Sequence, residues 1–376
     1  MDTVCLKDKC NGCFACKSVC PKDAIDVKDE IRAFNAYMDN EKCIHCGRCN
    51  KICPQNYLPE LKAPIEWWQG WAEDKNIRAR SSSGGVASEL IRSFIASGGY
   101  VCSCVFLRGE FVFEITNKIE KTWMFAGSKY VKSNPDGIYK EIEELLKKGE
   151  KVLFIGLPCQ SAALKNVIPE RYQENLIRVD LICHGTPSYS LLEKHIQEMG
   201  FDFKKIGTIS FREKTGWKFT IPYNKDKAIL DDIYLLGFLS GCFYTENCYE
   251  CSYAGTNRVS DITLGDSWGS DLKDELKNGL SLIMCQTEKG CKVIRESNLH
   301  VELVNQGKAI AANQQLQHPY RKTRKTSQFY NIYHKTNKFG WSFFLIEPKI
   351  VFKQQVKYLL YKLHLYKPPK NRGGIG

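Results

Sequence analysis

The sequence predicts an α+β/α/β chain: a small cysteine-dense N-terminal unit, followed by a larger α/β domain with a mixed, partly parallel sheet. Two observations carry this. Two cysteine runs of identical spacing lie within the first 53 residues, and from about residue 83 to residue 304 apolar strand patterns alternate with helical ones.

The runs are Cys10, Cys13, Cys16 and Cys20 before Pro21, then Cys43, Cys46, Cys49 and Cys53 before Pro54. This C-x2-C-x2-C-x3-C-P spacing is that of bacterial-type ferredoxins, where three thiolates of a run hold one 4Fe-4S cluster and the fourth crosses to the other. It assigns Cys10, Cys13, Cys16 and Cys53 to one cluster and Cys43, Cys46, Cys49 and Cys20 to the second. Zinc would use the C-x2-C pairs but leave the remaining cysteines and both prolines unexplained. A disulfide framework fits less well: eighteen cysteines, eight of them in these runs, point to reduced thiols and metal, hence to a cytoplasmic protein.

With 376 residues the chain has room for two or three domains. Its first residues lack an apolar signal-peptide core and no apolar stretch reaches membrane-spanning length, so a soluble or peripheral protein is expected. The net charge of +12 is local: residues 320–376 hold thirteen Lys and Arg against Glu347, leaving residues 1–319 neutral overall. No basic groove is needed in the body, and no nucleic-acid partner is expected.

Three segments follow: residues 1–60, 61–319 and 320–376. Pro59 and Pro64 punctuate the first connection, and Trp67, Trp68 and Trp71 suggest burial against the larger domain. Residues 83–96 read as a helix stopped by Gly98 and Gly99, then a strand at 100–107 and a hairpin partner at 111–115. Next come a helix (138–148), strand (151–157), helix (160–167), strand (176–182) and helix (189–199). Residues 205–223 read as paired strands turning at Thr215 and Gly216. Strands at 261–264 and 280–287, a helix at 288–296 and a closing strand at 301–304 complete the domain. In the tail, residues 349–363 read as a helix with Ile350, Val351, Val356, Leu359, Leu360 and Leu363 among lysines. That composition suits packing on the core, docking at the inner face of a membrane, or docking on an acidic partner.

The larger domain has its own thiol constellation. Cys159 and Cys183 each follow a strand and precede a helix, which in a parallel sheet puts both at the carboxyl edge where doubly wound folds collect ligands. Cys248 and Cys251 have the spacing of neighbouring metal ligands. Four thiolates would meet at a third metal site, with Cys242 as an alternative ligand; buried small hydrophobes are the competing reading for Cys159 and Cys183. Cys5, Cys102, Cys104, Cys285 and Cys291 read as packing. Ser81, Ser82, Ser83, Gly84 and Gly85 precede an apolar helix, whose free amides would suit a diphosphate, although serine caps also occur without any ligand.

Taken together, the chain resembles the coenzyme F420 hydrogenase/dehydrogenase beta-subunit family preceded by a two-cluster ferredoxin. The resemblance runs through the cysteine runs, Ser81 to Gly85, Gly127-Ser128-Lys129-Tyr130, Gly156 to Gln160, Cys183 to Pro187, Phe211 to Trp217, Cys248 to Cys251 and Asp261 to Asp266, and stops near Tyr320. It implies a flavoprotein holding FAD beside a 4Fe-4S cluster. FAD phosphates would sit on Ser82, Ser83, Gly84 and Gly85, with Gly127, Ser128, Lys129 and Tyr130 as a second contact. Cys159, Cys183, Cys248 and Cys251 would hold the cluster, and Arg212, Lys214 and Asp266 would lie near cofactor or substrate. The implied activity is an FAD-dependent reductase passing electrons from the N-terminal clusters, through a third, to FAD and an organic substrate. The family includes deazaflavin oxidoreductases, chlorophyll-type reductases and proteins of surface-polysaccharide synthesis, so it fixes neither substrate nor direction. The alternative is an electron-transfer subunit without its own substrate site. Either needs a redox partner protein or ferredoxin, and no nickel site is apparent.

Overall fold

Strands of the large unit sort their side chains by the twofold alternation of the pleat. The computed structural model describes residues 2–213, 216–222 and 232–365. Strands β1 (Ile25–Asp29) and β2 (Phe34–Met38) form an antiparallel hairpin in the N-terminal unit. The main sheet contains β3 (Glu66–Ala72), β4 (Tyr100–Leu107), β5 (Glu110–Thr116), β6 (Val152–Gly156) and β7 (Leu176–Leu181). A separate hairpin joins β8 (Ser210–Glu213) to β9 (Gly216–Thr220), and β10 (Ile262–Asp266), β11 (Ser281–Cys285) and β12 (Leu299–Leu303) return to the main sheet.

The eight-stranded order is β12-β3-β11-β10-β7-β6-β4-β5. Its centre, β4, β6, β7 and β10, is parallel, and antiparallel strands flank it on both sides. On one face Val101, Val105, Leu153, Ile155, Val179 and Ile262 pack under helix Val86–Ala96. On the other, Cys102, Val152, Phe154 and Leu176 pack under helices Ile138–Lys147 and Pro158–Val167. With both faces covered, β6 is buried along its whole length, as parallel strands require.

Two expectations shift, and a third falls where nothing is described. The tryptophan segment is β3 itself, an interior strand of the large sheet between β12 and β11. The helix expected from residue 83 starts at Val86, because Gly85 sits at φ 88 and ends the preceding turn. The expected turn at Thr215, like Lys214, lies outside the described residues.

A second, aromatic core lies beside the sheet. Phe211, Phe219, Tyr234, Phe243 and Tyr244 meet Phe329, Tyr330, Phe339 and Phe343 from helices Arg324–Thr336 and Phe339–Ile346, so the start of the basic tail is built into the body. The N-terminal unit is fastened to the same body. Asp29 accepts hydrogen bonds from the Ser188 hydroxyl (2.7 Å), the Ser190 hydroxyl (3.0 Å) and the Ser190 amide (3.1 Å). Arg32 pairs with Glu246, Lys17 with Asp136, and Asn166 donates to the Ile52 and Tyr57 carbonyls. Bonds to charged groups contribute about 1.5–3 kcal/mol when shielded and much less at the surface, so Asp29 is the principal polar fastening.

Candidate functional site: three thiol groups and a cavity

The two cysteine runs fold as copies of one another. Gly12 and His45, each two residues after the first cysteine, have φ 59 and 51, and Phe14 and Gly47, each four after it, have φ 59 and 71. Each run thus contains one glycine and one residue held at a left-handed backbone that costs about 1–2 kcal/mol. The conformation aims amides at sulfur: Gly12 N–H donates to Cys10 Sγ and His45 N–H to Cys43 Sγ, both at 3.4 Å, while Ala24 N–H reaches Cys20 Sγ at 3.3 Å.

The eight thiols divide into the two crossed sets. Cys10, Cys13, Cys16 and Cys53 line one small enclosed cavity. Burial and then the neighbouring Cys10, Cys16 and Cys53 push the Cys13 thiol well above its ordinary value. The second set converges likewise, since burial followed by Cys20, Cys43 and Cys46 raises the Cys49 thiol. The first set is buried, whereas Cys46 is exposed and Cys20, Cys43 and Cys49 are half-buried. Among the described residues no three His, Cys, Asp or Glu side chains close on a single metal ion. Cys5, read as packing, stands against Cys10 and Cys53, and its proximity holds the Cys53 thiol below its ordinary value.

Cys159, Cys183, Cys248 and Cys251 come from three distant segments. Pro158 and Gln160 start the helix that carries Cys159; the Gln160 side chain accepts from the Leu157 amide at 2.9 Å and donates to the Ser133 hydroxyl at 3.0 Å. Cys183 follows β7. Cys248 Sγ is 3.4 Å from the Thr245 hydroxyl and 3.8 Å from that of Thr186. Burial and then Cys248, Cys159 and Cys251 raise the Cys183 thiol, and burial followed by Cys248 raises Cys251 to about 12. Cys242 does not join them: its neighbours are Glu347 and Lys325, and its side chain is buried in the aromatic core.

Three buried polar side chains stand between the first and third sets. Lys132 is 3% exposed. Burial opposes its charge, but Cys159, Cys248, Cys183 and Cys251 outweigh that and hold its pKa above the usual lysine value. Tyr139 lies beside Cys13 and Cys159, as does Tyr253, and both hydroxyls are buried without a hydrogen-bond partner among the described residues. Such groups ask for an acceptor, and the sulfurs of a cluster on either set would supply one. A direct bridge runs from Asn247, beside Cys248, to Asn11, beside Cys10, with Nδ2 donating to Oδ1 at 3.1 Å.

A cavity opens at the carboxyl ends of β6, β7 and β10. Cys183 forms part of its wall, and Ser81, Ser82, Ser83, Gly85 and residues 127–130 line its other side. The two serine and glycine segments are tied together, the Ser128 amide donating to Ser82 Oγ at 3.1 Å. Gly84 is not part of the wall. A Cβ there would meet Gly70 O at 2.4 Å and Ser281 N at 2.8 Å, so the turn presses on β3 and β11, and the Ser83 hydroxyl donates to the Leu280 carbonyl. Lys129 donates to the Phe125 and Ala126 carbonyls at 2.8 and 3.1 Å, and Tyr130 stacks on Phe238 at 4.5 Å. Further along the wall, Arg212 clasps Asp266 through two bonds of 2.6 and 3.2 Å and lies over Trp217, beside His184 and Trp268. Burial lowers the His184 pKa.

Residues 9–57 match the family model of the 4Fe-4S dicluster domain, and residues 149–306 that of the C terminus of the coenzyme F420 hydrogenase/dehydrogenase beta subunit. One subunit, designated F, of the F(420)H(2) dehydrogenase of Methanosarcina mazei is 26% identical over 291 residues, covering 70% of this chain and 78% of that protein. A chain of the F420-reducing NiFe hydrogenase complex from Methanosarcina barkeri aligns at a TM-score of 0.49 and 15% identity, over 74% of this chain and 96% of that one. The protein thus joins an N-terminal 4Fe-4S dicluster domain to a domain of the coenzyme F420 hydrogenase/dehydrogenase beta-subunit family.

Proposed function

We propose that the chain is an iron-sulfur flavoprotein oxidoreductase that moves electrons between a redox partner protein and an organic substrate. When bound, clusters supply one-electron exchange and FAD supplies the step between one and two electrons. The observation that carries this reading is the convergence of Cys159, Cys183, Cys248 and Cys251 with Cys183 forming part of a cavity wall.

Each region of the chain has a task in this reading. The exposed segment around Cys46 meets the partner, because it is where the thiols reach solvent. Cys10, Cys13, Cys16 and Cys53 hold the inner centre, and Asn11 and Asn247 link it to the third set. The amides at the start of helix Val86–Ala96, with Ser82 and Ser128, bind the diphosphate of FAD. Arg212, Asp266 and His184, on the same stretch of wall, meet an organic substrate. Reduced coenzyme F420, named in the M. mazei relative, is the first such compound to test.

Anaerobic purification followed by iron and flavin analysis tests the reading. About twelve irons and one FAD per chain are expected from three four-iron clusters; eight irons without flavin would leave an electron-transfer subunit that delivers electrons to a partner enzyme.

Lys132 adds a second expectation. A buried cation beside a cluster favours the reduced, more negative state, since cluster potentials follow local charge and hydrogen bonding. Lys132→Gln is therefore expected to lower the reduction potential of the third centre in an EPR-monitored titration, with Lys132→Arg restoring it. An unchanged potential in Lys132→Gln would deny the lysine this part.

A further inference from the structure

Helix Pro348–Lys362 packs on the body by one side only. Ile350 and Val351 rest against the aromatic core and Gln354 is buried. At 100° per residue the opposite side carries Phe352, Val356, Leu359 and Leu363, spaced i, i+4, i+7, i+11, and these are 68%, 38%, 59% and 56% exposed. Helix Phe339–Ile346 adds Trp341 and Leu345, 53% and 46% exposed. Single exposed apolar residues are ordinary, but six on two consecutive helices, four of them in one stripe, are an interaction surface.

The charge beside the stripe identifies what covers it. Lys349, Lys353 and Lys362 are exposed on the same helix, and the sequence has no Asp or Glu after Glu347. An apolar stripe bordered by lysines, with a tryptophan on the preceding helix, has the make-up of a helix lying in the headgroup region of a bilayer. Fifteen residues extend only about 22 Å as a helix, which suits lying along a membrane and not crossing it. Among the described residues no helix is long and apolar enough to cross one.

We infer that this face docks on an anionic lipid surface, burying Phe352, Val356, Leu359 and Leu363 among the acyl chains while lysines contact the headgroups. The two parts of the interaction separate experimentally. The full chain is floated with vesicles of phosphatidylcholine alone or with 30% phosphatidylglycerol, at low and at high salt. Binding is expected only to the anionic vesicles and is expected to weaken as salt rises. Phe352→Ser combined with Leu359→Ser should reduce the bound fraction at least tenfold at unchanged iron content, and Lys349→Gln combined with Lys353→Gln should reduce it severalfold. No binding by the intact chain, or binding unaffected by the serine pair, overturns the inference. So does concentration-dependent self-association that the serine pair abolishes in the absence of lipid, which would make the stripe a contact between copies.

Discussion

Cys248→Ser is expected to contain about eight irons per chain where the parent contains about twelve. Cys248 is 8% exposed and held between the Thr245 and Thr186 hydroxyls, so serine fits the space with little strain on the fold. What disappears is one soft thiolate of four, and a cluster with an incomplete thiolate set is the first to be lost. Because the eight N-terminal cysteines form their own two groups, their EPR signals should remain. Electrons supplied to the N-terminal unit should then reach flavin far more slowly, although flavin reduced directly through its substrate should be unaffected. Cys242→Ser is the control. Buried among aromatic rings away from the other thiols, it should leave the iron content unchanged. Twelve irons in both Cys248→Ser and Cys183→Ser would remove the third centre from the proposal.

Ser88→Asp should release FAD while leaving the fold as stable as before or slightly more so. Ser88 is in the first turn of helix Val86–Ala96 and lines the cavity. A carboxylate there favours the helix through its N-terminal partial charge. Toward a diphosphate it acts oppositely. At about 6 Å and an effective dielectric of about 20 the repulsion is about 3 kcal/mol per unit charge, roughly a hundredfold loss of affinity. Flavin absorbance after desalting and a thermal melt read the two effects separately, and flavin retained in full would move the diphosphate site elsewhere. The structure makes this a cleaner probe than Gly84, where any side chain collides with the Gly70 carbonyl and damages the sheet whether or not a ligand binds.

The N-terminal site was legible because its information is local. Each run brings three thiols together within seven residues, and the crossed fourth cysteine follows from the spacing. The third set is spread over ninety-three residues. It could be read only through two strand ends and one C-x2-C pair, which is why Cys242 stayed in contention until its position in the aromatic core separated it. Cys5 had no spacing to mark it; pairing of the Val4 amide with the Ala36 carbonyl brings it to Cys10 and Cys53. Lys132, Tyr139 and Tyr253 were invisible for the same reason, since a lysine and two tyrosines in amphipathic sequence look like a solvated charge and core packing. In the tail the helix itself was evident. Which of its apolar residues face outward depended on where the body lies, and Ile350 and Val351 decide that by packing inward.

Fastening the N-terminal unit through Asn11, Asp29 and Arg32 replaces a collision between molecules with a fixed separation. A detached carrier supplies electrons at a rate set by its concentration and by encounters that salt screens. On the proposed route, supply to the inner thiols would be the same in a dilute extract as in a crowded one. Only the solvent-facing group around Cys46 then has to meet a partner protein, so ionic strength should tune that exchange and leave transfer between the inner centres untouched.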